Sequence, residues 1–183
     1  TRTYTITLDQ IEYCKALKPI THPTVKAAHK DNIVPQDLFE QFRSLRGAVA
    51  YIQLTRTDIA VYVVYLQRQT EQTTNYRHIR MLNVLVLRLQ DSPQVLRYEY
   101  LGSDTKFLVI TDSAFKKEEQ TGHSLKGTLL LRVVDNRTDL AKGKMKCHLL
   151  DFNTKRLRNV TRSTFSRTLR RMRPRHVSTP DNP

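Results

Sequence analysis

The sequence predicts an α+β protein: a helical segment to about residue 92, then a mixed sheet whose central strand carries Asp112, ending in a basic C-terminal helix. Three observations carry this. Between Leu38 and Leu89 apolar residues recur every three or four positions, the period of one helix face. Beyond Ser92-Pro93 they come in strand-length runs, the mark of a sheet. The last third is crowded with Lys and Arg.

Taken in order, Tyr4 to Leu8 alternates as a short strand, and Asp9 is placed to cap a helix over Gln10 to Leu17 that Pro19 stops. Residues 18 to 36 hold Pro19, Pro23 and Pro35 among polar residues and read as a surface loop. Leu38, Phe42, Leu45, Val49 and Ile52 make the apolar stripe of a first long helix. Thr57-Asp58 caps a second, with Ile59, Tyr62, Val63 and Leu66 inward, and Thr74 or Asn75 opens a third through Tyr76, Ile79, Leu82, Val86 and Leu89. Short connections imply that the three pack together. The strands expected next are Val95 to Leu101, Lys106 to Thr111, Thr128 to Val134 and Lys146 to Phe152, with Gly102 and Asp104 in a tight turn and Arg158 to Thr161 as one more short strand. A helix from Ser163 or Thr164 must end before Pro174, because proline cannot continue it. The division expected is 1–92, 93–176 and a disordered tail, 177–183.

Net charge is +14 over 183 residues. Twelve cations fall between residues 142 and 176, namely Lys142, Lys144, Lys146, Lys155, Arg156, Arg158, Arg162, Arg167, Arg170, Arg171, Arg173 and Arg175, against one acid, Asp151. So dense a block repels itself unless a polyanion neutralises it, and nucleic acid is the usual one. A solvated face is the alternative; an anionic membrane is disfavoured because no apolar face accompanies the block. No stretch approaches the roughly 20 apolar residues of a membrane span. Two distant cysteines, Cys14 and Cys147, read as free thiols of a reducing compartment.

Ile6-Thr7-Leu8-Asp9-Gln10-Ile11-Glu12-Tyr13, Phe42-Arg43-Ser44-Leu45-Arg46-Gly47-Ala48-Val49-Ala50-Tyr51 and Thr55-Arg56-Thr57-Asp58-Ile59-Ala60-Val61 follow one another in an order that resembles the Pol polyprotein of Ty1/copia-type retrotransposons, at the end of its reverse transcriptase. Val109-Ile110-Thr111-Asp112-Ser113-Ala114-Phe115, Leu149-Leu150-Asp151-Phe152 and Arg162-Ser163-Thr164-Phe165-Ser166 are similar to stretches of the RNase H that follows. The resemblance covers about residues 4 to 171. It implies a reverse transcriptase thumb- or connection-like helical segment and a truncated RNase H-like domain. Asp112 then stands where that nuclease keeps its first carboxylate, Thr168 where it has a helix glutamate, and no Asp-Asp pair of a polymerase is present.

RNase H chemistry needs two divalent ions roughly 3.5–4 Å apart, held by several carboxylates. One aspartate does not suffice, and Arg167 and Arg170 beside Thr168 would repel the metals. Adjacent strand residues such as Cys147 and His148 point to opposite faces, which argues against a zinc site. His123 reads as a turn residue, and Tyr51, Tyr62, Tyr65 and Tyr76 as core residues rather than base-stacking ones. The expectation is therefore a pseudoenzyme with no cofactor, metal or small-molecule substrate: a structural RNA-binding protein, contacting rRNA phosphates and neighbouring proteins of a ribonucleoprotein. A mitochondrial ribosome is the favoured host, since a start at Thr1 suits a cleaved presequence; cytoplasm or nucleus is the alternative. Two other readings stand beside it, a fragment of an active retrotransposon reverse transcriptase/RNase H and a protein-interaction module.

Overall fold

The structure, a computed structural model, describes residues 4–114, 125–134, 139 and 145–156. Among these are five α-helices and two small antiparallel sheets. Helix α1 (Ile11–Ala16) has Gln10 at its cap position, while the Asp9 carboxylate accepts from the Ile11 amide at 3.2 Å. Residues 18 to 36 are not all loop. They contain α2 (Pro23–Ala27), which starts on a proline, tolerated there because the first helical N–H has no partner in any case.

Helix α3 (Gln36–Ile52) buries the expected stripe of Leu38, Phe42, Leu45, Val49 and Ile52. A 3-10 turn, Thr57–Ile59, leads into α4 (Ala60–Gln67). Val63 and Leu66 of α4 are buried, but Tyr62 is 45% exposed. The sequence of α4 is apolar all round, so periodicity alone cannot choose its inner face. Helix α5 (Tyr76–Asp91) buries Tyr76, Ile79, Leu82, Val86 and Leu89, as its spacing requires. One apolar cluster results, and every member lies between Cys14 and Leu89.

Polar side chains fix the elements around this core. Asn83 of α5 both accepts from the Ile20 amide at 2.8 Å and donates to the Ile20 carbonyl at 2.9 Å. Gln90 donates to the Leu17 carbonyl at 2.8 Å. Arg80 reaches the carbonyls of Val25 and Ala28 at 2.7 and 2.6 Å, and Arg46 those of Leu66 and Gln69 at 3.1 and 2.8 Å. Arg56, only 2% exposed, grips both Asp58 oxygens at 2.9 Å and donates to the Ser92 carbonyl at 2.7 Å. Asp58, expected to cap the second helix, is instead the counterion of this guanidinium.

Strands β1 (Ile6–Asp9) and β2 (Val95–Tyr98) pair antiparallel, Ile6 opposite Tyr98. The run from Val95 was expected to open the larger sheet and instead ties the end of the helical segment back to its start. After a turn in which Gly102 takes φ +84, a conformation glycine tolerates best, come β3 (Thr105–Ala114), β4 (Leu125–Val134) and β5 (Cys147–Arg156), in that spatial order. Both pairings are antiparallel. The expectation of a mixed sheet with the Asp112 strand at its centre is therefore corrected. Each strand pairs with its neighbour in sequence, β4 is central, and β3 has no second partner among the described residues. From this sheet only Val133, 6% exposed, is buried among the described residues. The strand expected at Arg158 to Thr161, the basic C-terminal helix and the tail lie outside the described residues.

Two predictions follow from the polar joints. Asp58→Asn removes the counterion of a buried guanidinium and is expected to cost about 3 kcal/mol, the low end for a broken buried pair because Asp58 is partly solvated; a lower urea midpoint at unchanged m-value checks it. His78, 3% exposed, takes the Asn75 amide on Nδ1 at 3.1 Å and has Nε2 3.2 Å from the Tyr65 hydroxyl. Burial holds its pKa below the ordinary 6.5, and the Arg56 hydrogen bonds hold the Asp58 carboxyl below its ordinary range. Both groups bind protons more readily in the unfolded chain, so stability falls on acidification. The loss begins as pH drops below 6.5 and deepens as it passes through the lowered Asp58 value. Tm measured from above to below pH 6.5 should decline, and His78→Gln should flatten that first part of the curve.

Candidate nucleic-acid interface

Alternation along the strands and the observed register sort the larger sheet into two faces. One carries Phe107, Val109 and Thr111 from β3, Lys126, Thr128, Leu130 and Arg132 from β4, and His148, Asp151, Asn153 and Lys155 from β5. Phe107 is 73% exposed and lies opposite Arg132, whose Nε donates to Thr105 Oγ1 at 3.0 Å. Lys126 stands directly opposite Lys155, and Thr128 opposite Asn153. The His148 ring packs against Tyr98 with centroids 5.1 Å apart, and the Tyr98 hydroxyl donates to the Leu149 carbonyl at 2.8 Å, fastening the sheet to the smaller one.

The opposite face is apolar around Leu108, Ile110, Leu129, Leu131 and Phe152. Asp112 belongs to it, and its row across the sheet continues through Gly127 to Thr154. No carboxylate stands beside it in that row, and no group of three His, Cys, Asp or Glu that could hold a metal occurs among the described residues. Cys147 and His148 fall on opposite faces, as neighbours on a strand must. No described helix is long and apolar enough to cross a membrane.

Of the basic residues singled out by sequence, Lys146 is exposed just before β5, Lys155 is exposed on it, and Arg156 ends it opposite Leu125. Lys142, Lys144, Arg158, Arg162, Arg167, Arg170, Arg171, Arg173 and Arg175 lie outside the described residues, as do His123 and Thr168. The structure brings Lys155 together with Lys126, Arg132 and Phe107, none of which sequence reasoning chose. The usable signal was the alternation Lys126, Thr128, Leu130, Arg132, a polar-edged strand face. Of the four tyrosines assigned to the core, Tyr76 is buried and Tyr65 packs against the cluster, but Tyr51 and Tyr62 are exposed. Tyr51 makes an edge contact with Tyr13 instead.

Thiol labelling tests the placement of the cysteines. Both are free; Cys14 is buried and its thiol pKa pushed up by that burial, whereas Cys147 is exposed. One thiol per native chain, Cys147, is expected to react quickly, since the thiolate is the nucleophile, and Cys14 to react only on unfolding. Comparisons of the chain with protein-family models, with curated proteins and with solved structures find no match.

Proposed function

We propose that this chain is a catalytically inactive, retroelement-derived RNA-binding protein with a structural role in a ribonucleoprotein particle, the mitochondrial ribosome being the particle to test first. The observation that carries the reading is the concentration of twelve Lys and Arg against one acid between residues 142 and 176. The sheet adds support. Asp112 sits on the first of three successive antiparallel strands, and its row offers only Gly127 and Thr154 where metal chemistry needs more carboxylates. Such a protein holds phosphates through Lys and Arg, contacts that position an RNA without reading its bases. RNA is preferred over DNA because a scaffold shaped to an A-form backbone recognises shape and phosphates.

Co-sedimentation is the direct test: the chain should travel with a large RNA–protein particle and be released by RNase. In vitro, log K against log salt should have a slope of roughly −0.7 to −0.9 per phosphate contact. Replacing Arg167, Arg170 and Arg171 together by Ala should flatten it by about two to three units, and weaken binding alike for unrelated RNA sequences. Asp112→Asn should leave binding unchanged. Metal-dependent RNA cleavage that this substitution abolishes would instead identify a piece of a working nuclease.

A further inference from the structure

We propose that the sheet face bearing Phe107, Lys126, Arg132 and Lys155 is a platform for single-stranded RNA, on which Phe107 stacks a base while Lys126 and Lys155 hold a phosphate. This deepens the RNA reading above and rests on it. Two features of the face are unfavourable for the fold taken alone. Phe107 leaves 73% of its surface in water as the third residue of a ten-residue strand. Lys126 and Lys155 are direct cross-strand partners, and like charges so placed repel each other at about 4.5–5.5 Å between Cβ atoms. A phosphate between the two ammonium groups turns that repulsion into attraction, and a base over the Phe107 ring removes its apolar surface from water.

The spacing suits an extended strand. Lys126 and Arg132 are six residues apart on β4, about 20 Å at strand rise, with Thr128 opposite Asn153 as neutral hydrogen-bonding groups between them. Asp151 is the acid that the register puts on this face, opposite Leu130 and away from the lysine pair. Cations that follow a backbone, interleaved with an exposed aromatic on a sheet, are what single-strand recognition uses. A narrow duplex groove would not give a flat ring access to a base face, so the platform favours unpaired RNA.

The chain has no tryptophan, so Phe107→Trp supplies a single reporter. Titration with an unstructured oligoadenylate should quench its emission, whereas a Tyr51→Trp reporter on the helical body should not respond. Phe107→Ala should weaken oligoadenylate binding about 5- to 150-fold, the range for one lost base stack, with Phe107→Tyr close to wild type and duplex RNA little affected. Lys126→Ala with Lys155→Ala should reduce the salt slope by about 0.7, one phosphate contact. Circular dichroism of each variant should match wild type and Tm should not fall, because none of the three side chains belongs to the core cluster. If RNA binds but Phe107→Ala and the lysine pair leave affinity unchanged, the platform is wrong and the contact lies with the other basic residues between 142 and 176. If no RNA binds at all, both readings fall together. If Phe107→Ala spares RNA binding but abolishes self-association of the free chain, the face pairs with a second copy along β3, and the proposal is overturned.

Discussion

Helices end in carbonyls that need donors, and this chain meets that need with arginine rather than glycine. The residues that follow α1 to α5 are Leu17, Ala28, Gln53, Arg68 and Ser92, so none of these five closes on the left-handed glycine that often satisfies a helix's last turn. Three guanidinium groups reach across the fold to do it. Arg80 serves the end of α2, Arg46 the end of α4 and Arg56 the end of α5. Each also puts positive charge at the negative end of a helix dipole, a favourable placement. Because every one of these bonds links residues distant in sequence, capping and tertiary packing become the same event. Arg56 carries the most, since its joint lies where α5 hands the chain to β2 and where β2 returns to β1. Its burial is bearable only with Asp58 present, which is why both of their pKa values move apart from the ordinary ones.

The charge of the chain accordingly divides into two populations. Arg46, Arg56 and Arg80 are committed to backbone carbonyls inside the helical body and are not available to a polyanion. Lys126, Arg132 and Lys155 stand on a sheet that contributes almost nothing to the core. The two regions are built on different physical terms: one buries a contiguous apolar cluster, the other spreads thin strands with side chains half in water on either side. A three-stranded sheet needs its hydrophobic face packed to be independently stable. The Tyr98–Leu149 hydrogen bond and the Tyr98–His148 ring contact link it to the smaller sheet, and β5 also lies against α4.

How far the sequence could be read depends on which of these terms decides an element. Where burial decides, spacing was enough: α3 and α5 carry their stripes where periodicity put them. Where burial does not decide, the pattern was silent. Helix α4 is apolar on every side, so Tyr62 could be assigned inward although it faces out. Helix α2 is too short to show a period, and three prolines masked it as loop. Strand pairing is a long-range choice that no local window contains, which is why β2 was given to the wrong sheet and β3 to its centre. The platform residues escaped for a related reason. Lys126 and Lys155 are 29 positions apart, and only the register makes them neighbours. Attention to the density of charge along the chain favoured residues 142 to 176, most of which the described structure does not include.

Density along the chain and density in space are different quantities, and a polyanion responds to the second. A run of like charges in an extended segment can relax by moving its side chains apart, so its field at any one phosphate is modest and screened within about 8–10 Å. Two lysines facing each other across a ladder keep their Cβ atoms close, although their long stems still let the ammonium groups move. On the proposed reading, an anion would meet both charges at once. By linkage, a ligand that binds only the folded sheet stabilises it by RT ln(1 + [L]/Kd). If the proposed RNA binds there, the sheet, which adds little to the core cluster, is the part of this molecule whose order should respond most to it.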